Sequence, residues 1–121
     1  MKRDNKKVGA IGEQEAEKFL REKGYQIVER NFYTRFGEID IIAKKDGRWI
    51  FVEVKTKTGD RFGEPWEMVG RKKLRQVQNM AQVYLTKNGL GEVPCRIDVI
   101  GVWLRDGQVA KIEHWENVVM D

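Results

Sequence analysis

The stretch from Gly37 to Lys55 reads GEIDIIAKKDGRWIFVEVK. Its two halves are apolar runs, around Ile39–Ala43 and Ile50–Val54, on either side of Asp46-Gly47. An Asp-Gly pair between such runs is the strongest short-range hairpin signal. With Asp46 and Gly47 as the loop, Lys45 faces Arg48 and every pair of positions sums to 93. Asp40 then lies opposite Glu53, and Glu38 opposite Lys55. Alternation along a strand puts all four side chains on one face, and directly opposed residues have Cβ atoms about 5 Å apart. Asp40 and Glu53 sit inside apolar runs, where unpaired charge is expensive. A hard divalent cation, Mg²⁺ or Mn²⁺, converts that cost into a binding site. Lys55 on the same face is placed to hold a water or to stabilise developing negative charge. The competing reading is a Glu38–Lys55 cross-strand ion pair with Asp40 and Glu53 at solvent-exposed strand ends. A bulge would also spoil the register.

Outward from this hairpin, Val8 to Lys23 has helical spacing, with Val8, Ile11, Ala16, Phe19 and Leu20 on one face. Asn5 is a candidate N-cap and Gly24 a stop. Gly9 and Gly12 each cost a helix up to about 1 kcal/mol relative to Ala, which points to a close approach, tight packing on a sheet being the common cause. Strands are expected at Tyr25–Phe32, Phe36–Lys44 and Trp49–Thr56. A loop from Lys57 to Glu64 precedes Pro65, a candidate first-turn proline. A second helix follows to Lys87, with Leu74, Val77, Ala81, Tyr84 and Leu85 at helical spacing and Asn88-Gly89 as its stop. Cys95–Leu104 and Gln108–Trp115, joined by Asp106-Gly107, close the chain. The expected fold is α/β, a mixed sheet flanked by helices in the order αβββαββ.

The composition is that of a globular protein: 121 residues, 40% hydrophobic and 35% charged, with 12 Gly and 2 Pro. That excludes collagen-like and disordered readings, and the length suits one domain. No stretch approaches the roughly 18 apolar residues of a membrane span. A single cysteine, Cys95, and a single histidine, His114, allow neither an internal disulfide nor a cysteine-based zinc site. A soluble cytoplasmic protein is expected. The net charge of +4 is unevenly placed. Residues 1–7 carry +3 and residues 71–75 carry +4, which leaves −3 for the remainder. Two basic clusters on an acidic body suit a phosphate backbone, although a solvated tail and a solvated helix face explain them too. Lys57 and Arg61 in the loop, with Arg71, Lys72, Lys73 and Arg75, are the candidate nucleic-acid contacts.

Glu38-Ile39-Asp40 followed by Glu53-Val54-Lys55 resembles the acidic residue plus E-x-K signature of restriction-endonuclease-like nucleases. The wider pattern is similar to the YraN-like family of bacterial proteins, itself similar to archaeal Holliday-junction resolvases. It comprises Gly9-x-x-Gly12-Glu13, Arg30-Asn31, Lys73 ahead of Ala81, Arg96-Ile97-Asp98-Val99-Ile100 and Glu113-His114, and covers residues 8 to 118. The E-x-K triplet alone is weak; the ordered set is specific. The proline usual before the first acidic residue is replaced by Ile39. The resemblance implies a restriction-endonuclease-like core, so residues 1–121 are expected to form a single nuclease-like domain; the charge of residues 1–7, ahead of the matched pattern, reads as a basic, flexible tail. It also implies divalent-metal-dependent phosphodiester hydrolysis. Asp40 and Glu53 match its metal-binding carboxylates, Lys55 its catalytic lysine, and Glu13 the first-helix glutamate that completes the metal site. The helical wheel alone would favour Glu15. Lys73 or its neighbour Lys72 is a candidate to support the site.

Elsewhere, His114 reads as a satisfied strand histidine and Cys95 as a passive thiol. Asp98 reads either as a further site residue or as a partner of Arg96. Trp103 and Trp115 are core or interface candidates, and Trp66 a candidate for base stacking. The leading expectation is a metal-dependent endonuclease acting on DNA, branched or structured, in a homodimer whose two-fold symmetry matches a junction. The alternatives are a nucleic-acid-binding module without catalysis and a protein–protein adaptor.

Overall fold

The computed structural model describes residues 5–59 and 69–118. They form α1 (Asn5–Glu22), β1 (Gln26–Thr34), β2 (Gly37–Lys45), β3 (Arg48–Thr58), α2 (Arg71–Lys87), β4 (Cys95–Arg105) and β5 (Gln108–Trp115). The strands stand in chain order in one sheet. β1, β2 and β3 are an antiparallel meander, β3 and β4 are parallel, and β4 and β5 are antiparallel. A parallel pair needs a crossover, and α2 lies in the one between β3 and β4. The result is the α/β, restriction-endonuclease-like arrangement in the order αβββαββ.

The helices cover opposite faces of the sheet. Ala16 and Leu20 of α1 pack with Ile41, Ala43, Ile50, Val52, Ile100 and Val102. Val77, Met80, Ala81, Tyr84 and Leu85 of α2 pack with Phe32, Ile39, Ile42 and Phe51. Trp103 is buried beside Trp115, their ring centroids 6.2 Å apart. Both Asp-Gly turns have positive φ at each residue, 52° and 77° at Asp46-Gly47 and 54° and 77° at Asp106-Gly107. Two left-handed residues in a row define the type I′ hairpin turn.

Several details differ from the sequence reading. The α1 stripe runs through Gly12, so Ile11 is left 38% exposed. A Cβ on Gly12 would stand 1.7 Å from Thr56 Oγ1, whereas one on Gly9 would meet nothing within 4 Å. Only Gly12 therefore marks a close approach, of α1 to β3. The helix begins at Asn5, so Lys6 and Lys7 ride on its first turn rather than in a tail. α2 begins at Arg71 after an extended Gly70. Arg61, Pro65 with the first-turn role read for it, and Trp66 lie outside the described residues. β3 continues to Thr58, so Lys57 belongs to the strand and not to the loop.

The decisive departure is at Asp40. The β2–β3 ladder follows the expected register from Lys45↔Arg48 to Ile41↔Val52, then ends. Ile41 and Ala43 face α1, while Ile42 and Ile39 both face α2. Strict alternation would have kept Ile39 with Ile41. The chain therefore changes face at Asp40, beside Asn31 of β1, which has φ 54°. Glu38, Asp40, Glu53 and Lys55 do not share one face. Glu38 and Lys55 are not ladder partners, since the β2–β3 ladder ends at Ile41↔Val52, short of both.

Candidate active site

Where β2 parts from β3, the Val54 N–H has lost its antiparallel neighbour, and it donates to Asp40 Oδ2 at 2.8 Å. The carboxylate stands in for the missing carbonyl, which explains an aspartate in an apolar strand. Asp40 is 3% exposed and Glu53 7%. Neither is at a solvated strand end. Glu53 Oε1 lies 3.9 Å from Lys73 Nζ, and Glu53 Oε2 is buried without a hydrogen-bond partner. Burial pushes Asp40 up to about 6, against the opposing pull of the Val54 N–H. Burial, reinforced by the negative charge of Asp40, pushes Glu53 up to about 8, with Lys73 opposing. When protonated, Glu53 hydrogen-bonds the Asp40 carboxyl. Two groups this close titrate as a pair.

Glu13 approaches from α1. Its Oε1 lies 3.6 Å from an Arg30 guanidinium nitrogen, and Arg30 also meets Glu17 at 3.4 Å. Burial raises the Glu13 pKa, with Arg30 opposing. Its charge acts on Asp40, so Glu13 borders the pair while turned to Arg30. Glu38, read from sequence as an ion-pair partner, acts on Glu13, Asp40 and Glu53 alike and is a fourth carboxylate of this neighbourhood. Lys55 is exposed, two residues beyond Glu53. Of the adjacent lysines, Lys73 is the one that faces Glu53, while Lys72 is exposed with Arg71 and Arg75. Lys57 is also exposed.

Among the described residues, no group of three or more His, Cys, Asp or Glu side chains is gathered to hold a metal ion. The Asp40–Glu53 pair nevertheless fits a hard divalent cation. Mg²⁺ takes oxygen ligands and is commonly held by one or two carboxylates, its remaining positions filled by water and substrate oxygens. The orphaned, buried Glu53 Oε2 is an oxygen of that kind.

The model of the Uncharacterised protein family UPF0102 matches residues 12–102, most of the fold just described. The chain belongs to the UPF0102 family. It is 48% identical over 115 residues to a UPF0102 protein of Alkaliphilus oremlandii, covering 93% of this chain and 97% of the relative. A UPF0102 protein of Syntrophomonas wolfei is 41% identical over 113 residues, with 93% and 97% covered. One of Trichlorobacter lovleyi is 45% identical over 114 residues, with 93% and 90% covered. The resemblance to YraN-like proteins drawn from the ordered motifs is this relationship.

In this UPF0102 chain Asp98 belongs to a separate buried network. Its carboxylate meets Arg96 Nε at 3.0 Å, His114 Nε2 at 2.7 Å and the Asn117 N–H at 2.9 Å. Burial alone would raise its pKa, but these donors outweigh burial and hold it below the ordinary value. Arg96 also donates to the Tyr25 hydroxyl at 2.7 Å and meets Glu116 at 2.9 Å. Lys23 Nζ lies 3.1 Å from His114 Nδ1, which makes that nitrogen the acceptor and leaves Nε2 to donate to Asp98. The network ties the C-terminal end of α1 to β4 and β5. His114 is the satisfied strand histidine expected, and Cys95 is an exposed thiol.

Two neighbours of the site went unread in the sequence. Gln76 Oε1 accepts from Lys73 Nζ at 3.1 Å, and its Nε2 donates to the Phe36 carbonyl at 3.0 Å. Phe36, read as the start of a strand, is instead a loop residue of the β1–β2 hairpin, whose last ladder pair is Thr34↔Gly37. The glycine after Thr34-Arg35-Phe36 was the available turn signal. Nothing in the local sequence marks Gln76.

Proposed function

We propose that this UPF0102 chain is a divalent-metal-dependent endonuclease that hydrolyses phosphodiester bonds in DNA, branched or otherwise structured. The observation that carries the reading is the buried Asp40–Glu53 pair with its orphaned Glu53 Oε2. Such a pair burdens the fold once both carboxyls are ionised, and a cation shared between them relieves it where a shared proton no longer does. Asp40 and Glu53 would hold Mg²⁺ or Mn²⁺. When bound, the metal lowers the pKa of the attacking water and neutralises charge on the phosphate. The protein's own groups do the rest. The Val54 N–H fixes the Asp40 carboxylate, and Lys73 screens Glu53. Lys55, two residues beyond Glu53, offers a cation to the phosphate oxygens. Glu13 is available as a further ligand if it leaves Arg30. Arg71, Lys72 and Arg75 at the start of α2 and Lys57 of β3 are exposed cations for the flanking backbone.

Further parts of the proposal are a single domain, a cytoplasmic setting and a homodimer whose two sites match the two strands of a junction. Among the described residues no helix is long and apolar enough to cross a membrane. The test is cleavage of a four-way junction and of linear duplex in Mg²⁺ and in Mn²⁺. Asp40→Asn is the control, because asparagine keeps an acceptor for the Val54 N–H. Metal-dependent cleavage that falls at least about 100-fold in Asp40→Asn supports the reading. Glu13 turned to Arg30 and Lys73 beside Glu53 favour a second reading, a nucleic-acid-binding module without catalysis. Salt-dependent binding with no cleavage of any substrate would establish it.

A further inference from the structure

Phe36 is 66% exposed at the tip of the β1–β2 hairpin. Burial of such a ring is worth about 1.5–3 kcal/mol, and turn positions are ordinarily filled by small or polar residues. The tip is nevertheless held in place. Thr34 Oγ1 accepts from the Phe36 N–H at 3.1 Å, and Gln76 of α2 donates to the Phe36 carbonyl. Gly37 lets Gln76 come close, since a Cβ there would stand 2.7 Å from the Gln76 side chain. The Arg35 guanidinium lies 4.8 Å from the centre of the Phe36 ring. Between the ring and the outer stripe of α2 runs an open groove of about 370 Å³, with Met80 and Val83 among its walls and Lys72, Arg75 and Asn79 along it. The groove adjoins the carboxylates through one side-chain relay. Gln76 bonds Lys73, and Lys73 lies 3.9 Å from Glu53.

We propose that Phe36 and the Lys72–Arg75 stripe form a stacking platform for an unpaired base of a nucleic-acid strand, next to the candidate active site. The inference rests on the reading of this chain as acting on nucleic acid, and it names the substrate class within it. An apolar ring edged by cations matches a base with a phosphate on either side, the pattern of single-strand binding surfaces. A base inside a duplex is stacked on both faces and offers none to Phe36. The platform therefore selects DNA with an open strand, such as a junction centre, a flap or a gap, over uniform duplex. Charge argues against a second copy of the chain as the occupant. A two-fold interface through this patch would set Arg35, Lys72 and Arg75 against their own equivalents.

The test measures binding of the full chain, in chelator, to a single strand carrying 2-aminopurine and to a blunt duplex of the same sequence at one salt concentration. Phe36→Leu keeps an apolar side chain without a π face, and Phe36→Trp keeps the face. We expect Phe36→Leu to weaken single-strand binding about tenfold and to lose the 2-aminopurine quenching. Duplex affinity should stay within about twofold, and Phe36→Trp should bind the single strand as well as wild type. Unchanged single-strand binding in Phe36→Leu, or an equal loss on duplex, overturns the platform. So does a dimer that becomes monomeric in Phe36→Leu while single-strand binding holds, which would make the tip a contact between copies. Wild type that binds neither substrate sinks the nucleic-acid reading itself. Because chelator removes cleavage from the measurement, loss of the platform and loss of nuclease activity are read separately.

Discussion

Glutamine in place of Glu53 removes one charge from a pair that the fold keeps nearly dry. The Glu53 carboxyl rises from its ordinary 4.5 to about 8, and Asp40 from 3.8 to about 6. Both bind their protons more tightly in the folded chain than in the unfolded one. From about pH 4 to about pH 8 the folded state therefore retains protons that the unfolded state has released. Stability is present in full below the ordinary carboxylate pKa and is lost as pH rises through the folded values. One pH unit of displacement corresponds to about 1.4 kcal/mol, and local relaxation with water entry takes back part of the total. We expect metal-free wild type to lose on the order of 3 kcal/mol between about pH 4.5 and 8.5. At about 4 °C per kcal/mol for a domain of this size, that is a fall in Tm of about 12 °C.

Glu53→Gln should flatten the profile and melt above wild type at about pH 8.5 in chelator. Saturating Mg²⁺ or Mn²⁺ should restore wild type, by about 2.7 kcal/mol at a hundred times Kd, and leave Glu53→Gln unmoved. The gain should grow with pH, because protons compete with the metal for the same oxygens. Lys73→Met removes the cation that opposes the rise at Glu53. It should extend the metal-free loss to still higher pH. The assay is a set of melting curves for the three proteins from about pH 4.5 to 9, with chelator and with excess metal. Parallel profiles for wild type and Glu53→Gln would refute the dry pair. A wild-type Tm indifferent to saturating metal would refute the shared cation.

Gly12→Ala sets a methyl 1.7 Å from Thr56 Oγ1 and 2.8 Å from its Cβ, on a stiff β-branched side chain. It should cost about 1–3 kcal/mol by denaturant titration, and Thr56→Ala in the same chain should recover only part, since the Thr56 Cβ remains. Asp98→Ala leaves Arg96 and His114 without their buried acceptor and should cost about 3–5 kcal/mol. In wild type this contribution is present above the ordinary aspartate pKa and lost as pH falls through the lowered folded value, the reverse of Glu53. Acid titrations of the two proteins should therefore converge at low pH. Arg71→Ala with Lys72→Ala should weaken duplex binding for every sequence and reduce the slope of log K against log salt by about 0.9 for each phosphate no longer neutralised; an unchanged slope would put the backbone elsewhere.

The sequence was most legible where one local rule governs. Asp46-Gly47 and Asp106-Gly107 declared their hairpins because two consecutive left-handed residues admit few other pairs. The apolar stripe of α2 named Leu74, Val77, Ala81, Tyr84 and Leu85, all of them buried. The register from Lys45↔Arg48 to Ile41↔Val52 followed from the turn alone. Where the ladder would end could not be read, because that depends on the change of face at Asp40 beside the left-handed Asn31, which nothing in the local pattern of β2 declares. The choice between Lys72 and Lys73 was equally closed, since both precede Leu74 at the edge of the apolar stripe and only the seating of α2 on the sheet brings Lys73 to Glu53. Gly9 and Gly12 look alike in the chain, and only Gly12 lies over Thr56.

The change of face at Asp40 does what regular alternation would not. Had β2 stayed paired, Glu38 and Asp40 would project to one side of the sheet, and Glu13 on α1 would be screened from them by the strands. With the chain turned over at Asp40, the carboxylate lies where β2 and β3 part. From there it is influenced by Glu13 and Glu38 and by Glu53. Glu53 in turn feels Lys73 of α2. Residues from both helical layers thus meet through a gap in the sheet. The gap itself is closed by the Val54 N–H bond to Asp40 Oδ2. Asp40 therefore joins the two β-strands and holds a charge, so its replacements should separate the roles. Asp40→Asn keeps an acceptor for Val54 and loses the charge, whereas Asp40→Ala loses both. The difference between their metal-free stabilities, about 1–3 kcal/mol for an unsatisfied buried N–H, measures the structural role alone.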